Sequence, residues 1–208
     1  MLIEIFQDTV CPWCRIGKAN LFKALGQWQG EDVQIRWRTF LLDDTLPAEG
    51  VPFREHMADK FGGRVDLDQM FGSVTNAGAA AGVHFDFSKV TRMPNTRLSN
   101  QLIVIASDAL KEPVIERVNK AYFEEGLDTA KLDVLLDVAE KAGMDREDTR
   151  RQLEAGAGIQ QIEQDIAFAR QAGITGVPFV VLNGKFAVSG AQPPEQFVRA
   201  LEHAAANS

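Results

Sequence analysis

Cys11 and Cys14 are the only cysteines in this chain of 208 residues, and they stand in the run Cys11-Pro12-Trp13-Cys14. Two thiols at this spacing can close a disulfide within one helical turn, so the pair can cycle between dithiol and disulfide by thiolate attack on sulfur. Zinc binding is the competing chemistry, but a structural zinc takes four ligands. There is no second cysteine pair, and His56, His84 and His203 are isolated from one another. No metal site is expected. Free cysteines are also common as small buried hydrophobes, but a proline and a tryptophan between them speak against that plain packing role.

The flanking elements must position the two sulfurs. Residues 2–6 form a short apolar run that reads as a buried strand. From Arg15 onward Ile16, Ala19, Leu21, Phe22 and Leu25 recur at helical spacing. The cysteines therefore lie at a strand-to-helix junction. Proline suits the first helical position, which puts Cys11 at the cap with its sulfur toward the free N–H groups of Trp13 and Cys14. The positive end of the helix dipole favours a thiolate there over a thiol. Cys11 is then the nucleophile, and Cys14, one turn deeper, is placed to resolve a mixed disulfide.

Residues 33–42 alternate and are rich in strand formers, so the start of the chain reads as a βαβ unit with parallel strands. Its chemistry lies at the carboxyl end of the first strand, as in other open α/β sheets. Residues 44–173 show helical patterns and no convincing strand. Helices are expected over 51–61 and 66–82, then from a cap at Asn95, from Pro113, from Asp128 or Thr129, and over 145–155 and 159–172. Val83-His84-Phe85 is a possible extended piece. The mixed charges between Asp145 and Arg151 read as a solvated face. Residues 179–182 and 185–188 flank Asn183-Gly184, a strong hairpin signal through a type I′ turn. After Pro193-Pro194 a closing helix is expected over 195–206. The expected organisation is one sheet-bearing domain from residues 1–43 and 174–208, interrupted by a helical insertion over 44–173.

Composition narrows the function classes. With 45% hydrophobic residues the chain has ample material for a core. A net charge of −7 argues against a nucleic-acid partner. No apolar run approaches the roughly 20 residues of a membrane span, and Met1 leads directly into a strand instead of a signal sequence. A cytoplasmic location, with no membrane partner, is the expectation.

A second landmark is Thr175-Gly176-Val177-Pro178 just before the hairpin. Taken with Cys11-Pro12-Trp13-Cys14 and the helical block between them, it resembles the DsbA-like thioredoxin superfamily. The similarity is greatest to its cytoplasmic FrnE-like branch, which neighbours 2-hydroxychromene-2-carboxylate isomerases and kappa-class glutathione transferases. The resemblance implies an α/β thioredoxin fold, βαβ…ββα, with a large all-helical insertion. It implies that Cys11 attacks, that Cys14 resolves, and that Pro178 is a cis-proline beside them. Pro12 and Trp13 would shape the site, and the Val177 backbone would pair with an extended substrate peptide. Gly190 and Gln192, in the stretch leading into the last helix, would be further contacts. Many thioredoxin-fold proteins carry a buried acid six residues before the nucleophile, whereas this chain has Ile5 there, with Glu4 beside it on the opposite face. That leaves water or Glu4 as proton acceptor. Trp13, where strong oxidants of the superfamily carry histidine, implies a less oxidising disulfide.

The leading expectation is a thiol-disulfide oxidoreductase, working as reductase or isomerase on protein or small-molecule disulfides. It would need no bound organic cofactor, with glutathione as a possible reductant or co-substrate. A glutathione-dependent isomerase or transferase is the alternative, on which Asn95-Thr96 would mark a substrate pocket; such enzymes keep serine where this chain has Cys11. A peptide-binding holdase, using an apolar groove near Trp13, Phe40 and Pro178, is a further reading.

Overall fold

The computed structural model describes residues 1–207. Along the chain the elements are β1 (Leu2–Gln7), α1 (Pro12–Leu25), β2 (Gln34–Thr39), β3 (Val51–Pro52), α2 (Phe53–Lys60), α3 (Leu67–Ala81), β4 (Arg92–Met93), α4 (Arg97–Ile105), α5 (Asp108–Phe123), α6 (Leu132–Lys141), α7 (Arg146–Glu154), α8 (Ile159–Gln171), β5 (Phe179–Leu182), β6 (Phe186–Ser189) and α9 (Pro194–Ala206). Ser208, the last residue of the expected sheet-bearing domain, lies outside the described residues.

Four strands make one sheet in the order β2-β1-β5-β6. β1 runs parallel to β2, from Leu2 opposite Gln34 to Gln7 opposite Thr39. β5 runs antiparallel to β1, with Ile3 facing Leu182 and Phe6 facing Phe179. β1 is thus an interior strand, and its alternation serves two cores. Ile3 and Ile5 point toward Leu21 and Ala24 of α1 and Phe197 and Leu201 of α9. Phe6 points to the other face, against Ala169 and Ile174. Each such fully buried side chain contributes about 1.5–3 kcal/mol by leaving water, which is why a six-residue strand can anchor the fold.

Glu4 shares the Phe6 face. Its Oε1 accepts from Nη2 of Arg38 at 2.6 Å, while Arg38 Nη1 reaches Asp165 Oδ1 at 2.8 Å. The other Asp165 oxygen accepts the Thr39 backbone N–H at 2.9 Å. These bonds seat α8 on β2. Glu4 is therefore committed to a network on the far side of the sheet from α1.

The helices between β2 and β5 gather around two apolar centres. Leu102, Val114, Val118 and Leu135 lie at the middle of α4 to α7. Phe53, Phe71, Val74, Phe85 and Phe123 join α2, α3 and α5, and this second cluster extends to Val10 and Ile16 at the cysteine motif. α1 is fastened to α5 by charge as well: buried Arg15 bonds Glu116 (2.9 Å) and Glu124 (2.5 Å), and Lys18 bonds Glu112 and Glu116, both at 2.7 Å.

Several boundaries differ from the sequence expectation. α5 starts at Asp108, and Pro113 sits inside it; the proline deprives only the Ala109 carbonyl of a donor, and burial of Val114, Ile115 and Val118 on the next turn carries the helix through. The cap position of α4 is Thr96. Asn95 instead makes a turn before it, its Oδ1 accepting from Arg97 N–H at 3.0 Å and its amide donating to Leu46 O. α6 begins at Leu132, because Asp128 spends its carboxylate on a turn, accepting from Ala130 N–H. Val83-His84-Phe85 forms no strand, whereas residues 44–173 do contain one two-residue pairing, β3 with β4. That pairing is too short to show alternation. Asn183 and Gly184 both have positive φ, and Lys185 N–H returns to Leu182 O, but the ladder closes one residue later, with Leu182 opposite Phe186.

Candidate functional site

β1 ends at Gln7, and three residues turn the chain into α1. Cys11 takes the cap position with extended backbone (φ −90°, ψ 107°), and Pro12 occupies the first turn. The Cys11 sulfur accepts the Cys14 N–H at 3.3 Å. Of the two expected backbone donors, Cys14 supplies the bond. Both sulfur-bearing residues are buried, with Cys11 only 3% exposed, while Trp13 beside them is 43% exposed.

The loop before β5 closes the other side. The Val177–Pro178 peptide is cis, and the Cys11 thiol donates to the Val177 carbonyl at 3.5 Å. Pro178 is locked in place from two directions. Gly190, at φ 81°, donates its N–H to Pro178 O at 2.8 Å. On α1, a Cβ at Gly17 would lie 2.8 Å from Pro178 Cγ, so only glycine lets the helix approach the ring this closely. The structure thus brings together Cys11, Pro12, Trp13, Cys14, Val177 and Pro178, with Gly190 behind the proline. Gln192 is not among them. Its side chain donates to Ser189 O and its carbonyl accepts from Asn20, beside Phe186 and His203.

Sequence reasoning missed Asp8. Its carboxylate is fully buried and accepts from Thr9 N–H (2.8 Å), Leu42 N–H (2.8 Å) and the Asn100 side-chain amide (3.1 Å). Burial nevertheless raises its pKa above the ordinary carboxylate value, against the lowering effect of these donors. Burial also pushes the Cys14 thiol well up, the Cys11 sulfur adds to the rise, and the Asp8 backbone amide opposes it. A search for an acid on β1, six residues before Cys11, passes over Asp8 because it lies in the turn after the strand. Its one visible signal was a lone acid between an apolar strand and a capped helix.

Behind Asp8 lies a buried polar layer: Asn100 bonds Gln7, Thr9 Oγ1 bonds Ser99 Oγ, and Asn119 bonds Thr9 O. In front of the sulfurs lies a cavity of about 450 Å³, bounded by Cys11, Trp13 and Val177 and otherwise mainly by apolar side chains of α2, α3 and neighbouring loops. Among the described residues no group of three or more His, Cys, Asp or Glu is arranged to hold a metal ion.

An arrangement in which one sulfur lies at a helix N-terminus against a cis-proline loop and a second lies one turn deeper can carry out thiol-disulfide exchange. Known proteins share the sequence or the fold. A solved probable DsbA oxidoreductase from Streptomyces coelicolor is 28% identical, covering 100% of this chain and 91% of its own, with a TM-score of 0.91. The uncharacterised protein YwbO of Bacillus subtilis is 26% identical over 96% of this chain and 94% of its own. The cytosolic disulfide reductase DsbM of Pseudomonas aeruginosa, solved with glutathione, shares the fold at 17% identity, covering 98% of each chain with a TM-score of 0.67. The profile of the DsbA-like thioredoxin domain matches residues 2–202, and with the sheet order and dithiol geometry above, the chain belongs to that family.

Proposed function

We propose that this protein is a thiol-disulfide oxidoreductase acting through Cys11 and Cys14, as reductase or isomerase. The observation that supports this most is the Cys14 N–H directed at the Cys11 sulfur at 3.3 Å, at the N-terminus of a fourteen-residue helix. A donor there stabilises negative charge on sulfur, in the attacking thiolate and again when Cys11 leaves. Cys11 attacks a substrate sulfur, the partner thiolate departs, and a mixed disulfide forms. Cys14 then loses its proton and attacks the Cys11 sulfur, releasing the reduced substrate and leaving the Cys11–Cys14 disulfide. Asp8, the buried carboxyl beside Cys14, takes the place of Glu4 as the group that receives that proton.

A cytoplasmic setting would draw electrons from a low-molecular-weight thiol, and glutathione fits that role, as DsbM of the same fold was solved with it. Val177 offers the backbone edge to substrate. The glutathione-dependent isomerase or transferase reading is disfavoured by the presence of both sulfurs in one hydrogen-bonded unit.

The test is the reduction potential of the pair, followed by Trp13 fluorescence across a series of glutathione buffers, with insulin reduction as the activity. A reversible two-electron transition and loss of activity in Cys11→Ser are the expected results. A pair that never closes, or a Cys11→Ser protein as active as wild type, would sink the reading.

A further inference from the structure

We infer that the cavity in front of Cys11 is a receptor for the aromatic arm of a low-molecular-weight disulfide, so that the preferred substrate is a small mixed disulfide with one aryl-bearing thiol. The inference rests on the dithiol function proposed above and adds the substrate class.

Three observations carry it. First, Cys11 is only 3% exposed, and it forms part of the wall of the cavity. A disulfide approaching from the cavity side must send one arm inside. A cystine in a folded protein carries main chain on both sides and enters such a space less readily than a single thiol on a thin linker does. Second, the volume of about 450 Å³ lies in the range of small-molecule sites, roughly 300–1,000 Å³. Third, the far wall is aromatic. Phe71 and Phe87 stack with centroids 4.7 Å apart, Phe53 lies 5.3 Å from Phe71, and Phe123 meets Phe87 edge-on at 6.0 Å. All four line the cavity, with Met57 and Met70 beside them. Rings and polarizable thioethers make a surface on which another ring gains contact beyond its area.

The chemistry balances without further groups. With the aryl arm inside, its sulfur lies against Cys11. The Cys11 thiolate attacks that sulfur, the substrate S–S bond breaks, and the outer thiolate leaves with the electron pair and takes a proton from solvent. The Cys14 thiolate then attacks the Cys11 sulfur, the aryl thiolate departs, and it is protonated by the proton that Cys14 gave up. The substrate disulfide gains two electrons, the protein dithiol loses two, and a small-molecule thiol reductant restores it.

The experiment is a single-turnover rate measurement on the reduced protein, using the mixed disulfide of benzyl mercaptan with glutathione beside oxidised glutathione. The expected result is a second-order rate about 10- to 100-fold higher for the benzyl compound, with a ratio that falls toward one in both Val74→Trp and Met70→Trp, each of which fills the cavity. Two variants guard against one failing to fold. Equal rates in the wild type, or a ratio retained in the folded variants, would overturn the inference while leaving the dithiol function standing. No reaction with either disulfide would overturn both. A short cystine peptide with phenylalanine next to the half-cystine, reacting as fast as the benzyl compound, would overturn the small-molecule assignment in favour of a peptide side chain.

Discussion

Cys11 and Cys14 have different environments, and the difference assigns their roles. Cys11 receives a backbone N–H at a helix terminus, while burial and its neighbour keep the Cys14 thiol protonated. Cys14→Ser should therefore accumulate a stable mixed disulfide on Cys11, visible by mass spectrometry, whereas Cys11→Ser should accumulate none. Asp8 gives a prediction of its own. Its folded-state pKa is raised, so the folded protein holds that proton more tightly than the unfolded chain does. The contribution is present below the unfolded carboxylate value of about 4 and is lost as pH rises through the folded value. Wild type should then lose stability relative to Asp8→Asn as pH rises from about 4 through the raised folded value, as read by urea unfolding at each pH. In Asp8→Asn, release of the mixed disulfide by Cys14 should slow by about tenfold or more and lose the pH dependence that titration of Asp8 gives it, while the first attack by Cys11 proceeds. A purely structural role would slow both steps alike.

At the scale of elements, the site depends on how closely α1 approaches the proline loop. Gly17 is the contact that permits it, since an added Cβ would lie 2.8 Å from Pro178 Cγ and 3.4 Å from Ala191 Cα. A mid-helix glycine costs about 0.5–1 kcal/mol relative to alanine, so Gly17→Ala on an open helix face would stabilise. Here overpacking against a ring and a backbone outweighs that gain, and Gly17→Ala should destabilise by about 1–2 kcal/mol and slow insulin reduction, as measured by denaturant melts and turnover on the same preparation. The helical pattern of α1 was plain in the sequence, but Gly17 passed there as one more small residue. Its partner is 161 positions away in the chain, and no periodicity reports such a contact. Pro113 teaches the converse: a proline reads locally as a helix start, yet tertiary burial of the following turn carries α5 through it.

At the scale of the whole molecule, α1 must be held by both the sheet and the helices. The sheet side is apolar, and the helical side is a charged clamp of Arg15 and Lys18 against Glu112, Glu116 and Glu124. Burial alone would push the Glu116 carboxyl up, but Lys18 and Arg15 outweigh it and hold it below the ordinary value. A depressed carboxylate contributes stability above its unfolded pKa, and that contribution is lost as pH falls through the folded value. The clamp should open in acid, below about pH 4. Arg15→Met should cost about 2–4 kcal/mol at neutral pH, because partly buried Glu124 loses its cation and Glu116 keeps Lys18 but loses one of its two strong pairs, and should flatten the acid limb of the stability curve. The opposite slopes of Asp8 and Glu116 make the two effects separable in one pH titration.

The sequence by itself determined what short-range chemistry can specify: the dithiol at a strand-helix junction, the cap position of Cys11, the parallel first pair of strands, the Asn183-Gly184 turn, and the order of sheet and helical segments. These follow from residue spacing and local propensity. Only the tertiary structure decided which groups meet across long separations. It placed Val177 on the Cys11 sulfur and Gly17 under Pro178, committed Glu4 to Arg38, brought Asp8 to Cys14 and bonded Gln192 to Ser189 and Asn20. It also formed the aromatic cavity between the cysteine loop and α2 and α3. A buried carboxylate or a cavity wall is defined by what surrounds it on every side, and those neighbours are supplied by packing, not by adjacency in the chain.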